Sequence, residues 1–285
     1  MTLLALAVGG RGLVDPDEPI LYVDDEAFLR SRAAFETTRV YGGRPFRLEE
    51  HLARLAGSAA RVEIGRIDTE ELGRLAALAL EAAAAPEAVL RLFVTPGRDG
   101  AGSPTQVAMV STLPEGLDEL RERGIGLVSI QLGVDPALRA SAPWLLGGVK
   151  STSYAVNMAA EAEARRRGAD DAVFLGTGDV VLEGPVTNVW WRSDGVLYTP
   201  ALELGILAGV TRATLVEQAA AAGYEVREGV FPLEHMAAAD EAFTSSSIRE
   251  VMPVVRLDGD PLGAETPGPA AGELQRRLRA CASSA

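Results

Sequence analysis

The sequence predicts an α+β protein of two domains built on mixed or antiparallel sheets. Three observations predict it. Strand and helix signals alternate through the first part of the chain. A proline- and glycine-bearing stretch, residues 135–148, interrupts that alternation midway. Beyond it, short strands follow one another across Gly-Thr-Gly-Asp and Ser-Asp-Gly turns. With 285 residues, 47% hydrophobic and 24% charged, the chain can fill two cores and is too apolar for global disorder.

Residues 2–8 read as an apolar first strand; they lack the basic lead-in and cleavage site of a signal peptide. Residues 35–41 are rich in β-branched and aromatic types and run into Gly42-Gly43, a hairpin turn. An amphipathic helix follows over 49–62, with Leu52, Leu55 and Ala59 at helical spacing. A second helix spans 68–84: Glu71 stands three residues after Asp68, the capping-box spacing, and Pro86 stops it. Residues 89–95 and 106–111 are strands. After the connector, 153–167 is a helix ended by Gly168, and 172–175, 180–182, 188–192 and 196–198 are short strands. Residues 211–222 form a helix ended by Gly223. Strands at 224–230 and 241–245 follow, then a hairpin over 254–263 around Asp258-Gly259. The expected boundaries are 1–130 for a small N-terminal domain, 131–148 for the connector and 149–285 for a larger domain.

The formal net charge of −13 argues against a nucleic-acid partner, because phosphate binding needs clustered cations. The one dense basic run, Arg165-Arg166-Arg167, has Glu161 and Glu163 four residues before Arg165 and Arg167, the spacing of a solvated helix face. A single cysteine, Cys281, excludes an intrachain disulfide, and His51 and His235 lack metal-type spacing, so no metal site is expected. No run approaches the roughly 18 apolar residues of a membrane span. The expectation is a soluble, cytoplasmic protein without a membrane partner.

Against that background one residue stands out. The chain has 26 arginines and one lysine, Lys150, at the end of the apolar stretch Leu145-Leu146-Gly147-Gly148-Val149. Arginine does not give up a proton at accessible pH and cannot serve as a nucleophilic amine; lysine can. A chain that has replaced lysine everywhere else has kept one for amine chemistry, or for a pocket that fits an ammonium better than a guanidinium.

Four further features could surround such an amine, though each alone has an ordinary structural reading. Ile206-Leu207-Ala208-Gly209-Val210-Thr211-Arg212 is a glycine turn feeding a helix, whose free N–H groups suit a phosphate. Thr244-Ser245-Ser246-Ser247 is a hydroxyl cluster ending a strand. Leu182-Glu183-Gly184-Pro185 puts a carboxylate at the end of an apolar strand, where it could face a cationic ring nitrogen. His51-Leu52-Ala53-Arg54-Leu55 sets His51 and Arg54 on one side of a helix, where Arg54 either caps the core with its stem or offers a forked donor to phosphate.

The order of these blocks resembles a family. Phe35-Glu36-Thr37-Thr38-Arg39-Val40-Tyr41 with Phe46-Arg47-Leu48-Glu49-Glu50-His51-Leu52-Ala53-Arg54-Leu55 is similar to the N-terminal signature of the class IV, or fold-type IV, pyridoxal-phosphate enzymes. Val149-Lys150-Ser151 through Tyr154 and Asn157, Glu183-Gly184 with Asn188, Gly209-Val210-Thr211-Arg212, and Ser247 through Glu250 to Pro253-Val254 match in order. The resemblance covers nearly the whole chain. It implies a small N-terminal α/β domain and a larger domain with a mixed or antiparallel sheet. It also implies pyridoxal 5′-phosphate between them, and a homodimer.

The resemblance assigns the Schiff-base lysine and proton shuttle to Lys150, and to Glu183 the acid that keeps the pyridine nitrogen protonated so that the ring is an electron sink. Arg54, the Val210 and Thr211 amides and Ser247 match the phosphate cup. Tyr154 matches a phenol near the cofactor's O3′, and Leu207 an apolar residue packed on the ring. Toward the substrate, Phe35, Arg98 and Arg32 are the candidates, with Arg139 a further arginine able to receive a carboxylate.

The family's members share this machinery and differ in what receives the substrate. D-amino acid aminotransferases typically carry an arginine in the block matching Val94-Thr95-Pro96-Gly97; here Pro96 stands there, with Arg98 two residues on. Thr95-Pro96-Gly97, Ala169-Asp170-Asp171-Ala172 and Glu183-Gly184-Pro185 look closest to plant-type members. The expectation is a transaminase moving an amino group from a D-amino acid, with some (R)-amine activity, to a 2-oxo acid. The alternatives are 4-amino-4-deoxychorismate lyase, which eliminates pyruvate, and a branched-chain L-amino acid aminotransferase.

Overall fold

The computed structural model describes residues 1–98 and 103–284. The chain packs as two compact units. Of the described residues, the first takes in those up to Glu115, Val149–Tyr154 and residues 282–284; the second comprises Gly116–Gly148 and Ala155–Cys281.

The first unit is built on β1 (Leu3–Val8), β2 (Gly12–Val14), α1 (Glu26–Arg30), β3 (Ala34–Tyr41), β4 (Arg44–Pro45), α2 (Leu48–Arg61), α3 (Thr69–Ala83), β5 (Glu87–Thr95) and β6 (Thr105–Ser111). Its six strands form one antiparallel sheet in the order β2-β1-β6-β5-β3-β4. The Gly42-Gly43 hairpin forms as expected: both residues have positive φ, 56° and 79°, which glycine adopts without a Cβ penalty. The Asp68 carboxylate caps α3 by accepting from Glu71 N at 3.0 Å, and α3 ends at Ala83 with Ala84 as its C-cap, before Pro86. Leu55 and Ala59 of α2 and Leu72, Leu75 and Ala79 of α3 are fully buried with Ala34, Val40, Leu90 and Val94 of the sheet. Each fully buried leucine contributes roughly 1.5–3 kcal/mol.

The second unit is built on α4 (Leu117–Arg123), β7 (Ile125–Gln131), α5 (Pro136–Ser141), α6 (Ala155–Arg166), β8 (Asp171–Leu175), β9 (Asn188–Ser193), β10 (Val196–Pro200), α7 (Val210–Ala221), β11 (Val226–Gly229), α8 (Leu233–Ala237), β12 (Glu241–Ser246), β13 (Glu250–Leu257), β14 (Asp260–Pro261) and α9 (Pro269–Ser284). Its mixed sheet runs β11-β10-β9-β12-β13-β7-β8, with β14 on β13. β9 alternates between two buried faces. Trp190 stacks on Phe243, and Trp191 lies in a second cluster where its indole donates to His235 Nδ1 at 2.8 Å. His235 is therefore a satisfied aromatic-cluster residue.

Four expectations differ from the structure. The sequence puts the end of the first domain at residue 130, but the chain leaves the first unit after Glu115, because β7 pairs in parallel with β13 and β8 of the second sheet. The expected connector is part of the second unit, and it contains α5. Residues 149–154, expected in the larger domain, instead join the first unit: Ser151 bridges Ala34, and Thr152 N donates to Ala33 O at 2.9 Å. Residues 180–182 make isolated bridges, Val181 to Leu175 and Val180 to Pro232, and not a strand.

Candidate active site

The residues singled out by sequence fall into two sets, one in each unit. In the first, Lys150 is fixed by its backbone. Its N–H donates to Ser58 Oγ of α2 at 3.2 Å, and its carbonyl accepts from Phe35 N of β3 at 3.1 Å. The half-buried ammonium lies 4.4 Å from the centroid of the Phe35 ring and 3.4 Å from Tyr154 Oη. Phe35 meets Tyr154 edge-on at 5.2 Å and stacks on Phe93 at 5.8 Å. The amine thus emerges between two aromatic side chains, one of which brings a hydroxyl to it. Tyr154 precedes α6 and is not on it.

Arg54 lies one helical turn from Ser58 on α2. Its Nε and Nη2 clamp the carboxylate of Glu36 at 2.6 and 2.8 Å, a bidentate geometry. The same carboxylate faces His51 Nδ1 at 2.7 Å. Glu36 escapes the sequence reading; a signal exists, since it shares parity with Ala34, Thr38 and Val40, all on the buried face of β3.

In the second unit Glu183 follows a pair of backbone bonds with β8, Leu182 N to Phe174 O and Phe174 N to Glu183 O. Oε1 accepts from Arg139 Nη2 at 2.7 Å and Oε2 from Leu207 N at 2.9 Å. Leu207 is held from the other side as well: its carbonyl accepts from Asn188 Nδ2 at 2.9 Å. Glu183 and Asn188 therefore grip one residue, three positions before α7. That helix begins at Gly209 with no side-chain cap, so the Val210 and Thr211 amides are among the donors a helix start leaves unpaired. α7 packs on β12, and Ser247 stands in the turn just after that strand.

The substrate-side arginines are already engaged. Arg32 donates from Nε to Val62 O at 2.9 Å, from Nη1 to Glu26 at 2.5 Å and from Nη2 to the Glu63 carbonyl, pinning α1 to the end of α2. Arg98 is exposed, pairs with Asp24 at 3.0 Å and lies 4.5 Å over the Tyr22 ring. Residues 99–102, which follow it in sequence, lie outside the described residues. Arg139 serves Glu183. All three thus have partners of their own within the fold.

These donor types fit pyridoxal phosphate: an amine for its aldehyde, a carboxylate with remaining lone pairs for its ring nitrogen, and an uncapped helix start for its phosphate. Among the described residues no group of acidic, His or Cys side chains could hold a metal, and no helix is long and apolar enough to cross a membrane.

Fold and residues together define an enzyme of amine chemistry. The family model for amino-transferase class IV matches residues 33–257. A bifunctional aminodeoxychorismate lyase / D-amino acid transaminase of Mycobacterium tuberculosis is 36% identical over 223 residues, covering 75% of this chain and 77% of that protein. A solved hypothetical aminotransferase from the same organism, bound to alpha-ketoglutarate and PMP, is 31% identical and superposes with a TM-score of 0.92, covering 98% of this chain and 99% of that one. A fold IV-transaminase from Curtobacterium pusillum is 32% identical, with a TM-score of 0.87 and 97% of each chain covered. The chain belongs to the class IV aminotransferases, and with that class it is a pyridoxal-phosphate-dependent aminotransferase of fold type IV.

Proposed function

We propose that this enzyme transfers an amino group from a D-amino acid to a 2-oxo acid, with Lys150 as the amine that takes the cofactor's aldehyde and carries the proton. The observation that carries the reading is Lys150 itself: the one lysine of the chain, fixed at both backbone groups and set against Phe35 and Tyr154. When bound, pyridoxal phosphate supplies an electron sink. In this reading Glu183 serves its ring nitrogen, Leu207 packs on the ring, and Tyr154 serves its phenolic oxygen. Arg54, the Val210 and Thr211 amides and Ser247 serve the phosphate, and Phe35 borders the substrate. The D-amino acid donor is supported by the named activity of the M. tuberculosis relative, and the 2-oxo acid acceptor by the alpha-ketoglutarate bound to the M. tuberculosis structure.

The same relative's name gives the second reading, aminodeoxychorismate lyase, in which the lysine's proton transfer leads to pyruvate elimination. The deciding experiment is a half-reaction without acceptor. Loss of the visible absorbance of the holoenzyme on mixing with D-alanine identifies the D-transaminase; loss with L-leucine alone moves the enzyme to the branched-chain group. No loss with either, nor with (R)-1-phenylethylamine, leaves the lyase. Lys150→Ala should abolish both that absorbance and turnover.

A homodimer is part of the proposal: Tyr22, Val23, Phe28 and Leu29 are 58–74% exposed in one short stretch of the first unit, an apolar surface that a second copy would cover. Sedimentation at the monomer mass would refute it.

A further inference from the structure

Between β3 and α2 lies a charged group that the assignments above leave without a role. Glu36 is 1% exposed. Burial pushes its carboxyl up, but the hydrogen bonds from Arg54 and His51 outweigh burial and hold it at about 2. A carboxylate that stays ionised only accepts, so the proton between it and His51 sits on Nδ1. The ring itself is neutral near pH 7: its own burial, with the charges of Arg54 and Lys150, holds it below the usual imidazole range against the pull of Glu36. A neutral imidazole with its proton on Nδ1 has a bare Nε2. That atom is buried, and no group among the described residues hydrogen-bonds to it.

The same two elements hold Lys150. His51, Arg54 and Ser58 stand at i, i+3 and i+7 on one face of α2, and Ser58 takes the Lys150 amide. Phe35, which takes the Lys150 carbonyl, is Glu36's neighbour on β3. A long arginine anchored at one point can swing about its stem. Anchored along its Nε–Nη2 edge by a buried carboxylate, it keeps one plane.

We infer that Glu36 is a positioning residue for the reaction. It fixes the Arg54 guanidinium in one plane and fixes His51 as the Nδ1–H tautomer, so that α2 offers an oriented cation and a bare imidazole acceptor beside the segment that carries Lys150. The inference rests on the reading of Arg54 as a ligand of the cofactor's phosphate, and the test separates the two.

The probes are pyridoxal 5′-phosphate and pyridoxal, titrated into apoenzyme, with ¹⁵N NMR of the two histidines assigned through a His235→Gln variant. Nδ1 of His51 should be protonated and Nε2 bare at neutral pH; the opposite tautomer, or a charged ring, overturns the inference. Glu36→Gln should weaken pyridoxal phosphate about 10- to 100-fold while leaving pyridoxal within about 3-fold, the size of a lost charged hydrogen bond. Equal binding of the phosphate form by Glu36→Gln and wild type overturns it too. If Arg54→Ala itself keeps the preference for the phosphate form, the reading of Arg54 fails and takes this inference with it. If Arg54→Ala loses the preference and Glu36→Gln does not, only the inference fails. Should Glu36→Gln not fold, the His51 pair decides. His51→Asn keeps a donor where Nδ1–H stood and should bind the phosphate form more tightly than His51→Leu; equal loss in both overturns the role.

Discussion

Gly209→Ala tests the grip on the start of α7. Gly209 has φ −64°, which alanine adopts without strain, so the backbone does not require glycine. Space does. A Cβ at this position would overlap Asn188 Oδ1 and lie 3.1 Å from Arg212 Cβ. Asn188 is the far end of a side chain and could in principle move, but it is 4% exposed and its Nδ2 holds the Leu207 carbonyl at 2.9 Å. Moving it costs that hydrogen bond, about 0.5–1.5 kcal/mol. Leaving it costs the strain of an added methyl in a packed site, about 1–3 kcal/mol. Alanine is also the poorer residue at an N-cap. A loss of roughly 2–4 kcal/mol follows, which in a chain of this size lowers Tm by about 5–15 °C. Differential scanning calorimetry of the apoenzyme measures it, and a double-mutant cycle with Asn188→Ala isolates the cause. Removing the amide should make the methyl introduced by Gly209→Ala tolerable, giving a coupling of at least about 1 kcal/mol. A drop below about 0.5 kcal/mol, or strict additivity with Asn188→Ala, would show that the overlap does not govern this site. If the Val210 and Thr211 amides serve the phosphate as proposed, the holoenzyme should also bind its cofactor more weakly, because the helix start is distorted.

Acid should act in two steps. His51 sits below its ordinary range and Glu36 is held at about 2, so the folded state binds fewer protons than the unfolded at both groups. Stability should fall as pH drops below about 6.5, where the unfolded histidine protonates, and again between about 4.5 and 2, where the unfolded glutamate does. The second step is on the order of 3 kcal/mol. Urea midpoints against pH should show both in wild type, and only the lower one in His51→Asn. Glu250 is fully buried and is held by Arg121 at 3.1 Å, Gln275 at 2.8 Å and Arg279 at 2.8 Å. Glu250→Leu should cost about 3 kcal/mol and raise hydrogen exchange in α9, because Arg121, Arg279 and Gln275 all lose their buried acceptor and the two arginines fall back on the exposed Asp118; unchanged exchange would count against that role. Arg98→Ala removes an exposed ion pair, so it should cost under about 1 kcal/mol and change the Michaelis constant for carboxylate donors by less than about fivefold. A larger, carboxylate-specific rise would return Arg98 to the substrate.

What the sequence could disclose depended on how local the cause was. β3, α2 and α3 were legible because parity, an apolar stripe, a cap and a stop all lie within each segment. β7 was not: Ile125-Gly126-Leu127-Val128-Ser129-Ile130-Gln131 has strand composition, but its membership of the second unit comes from pairing with β13, more than a hundred residues on. The short helices α1, α4 and α5 carry too few apolar positions to show a stripe. Lys150 and Glu183 stood out, one by composition and one by its place after an apolar run that reads as a strand. Glu36 did not, because a glutamate in Phe-Glu-Thr-Thr-Arg-Val-Tyr is indistinguishable from a solvent-facing one until His51 and Arg54 are seen to close over it. The partners of the arginines were hidden for the same reason. Arg32, Arg98 and Arg139 each look available in sequence, and their partners Glu26, Asp24 and Glu183 are set by the fold.

The two units solve one electrostatic problem in the same manner. Each sets a carboxylate against one arginine and one further nitrogen donor: Glu36 against Arg54 and the His51 ring, Glu183 against Arg139 and the Leu207 amide. Arginine suits both places, since its planar fork meets a carboxylate along an edge and it does not surrender its charge. If both places lie near the cofactor, as proposed, lysine in either would offer a second primary amine to its aldehyde, and an aldehyde does not distinguish between amines except by position and protonation. Using arginine for 26 of 27 basic positions leaves Lys150 as the chain's one side-chain amine. On the proposed reading, composition and geometry express one requirement: cations set near a cofactor aldehyde must be unable to react with it.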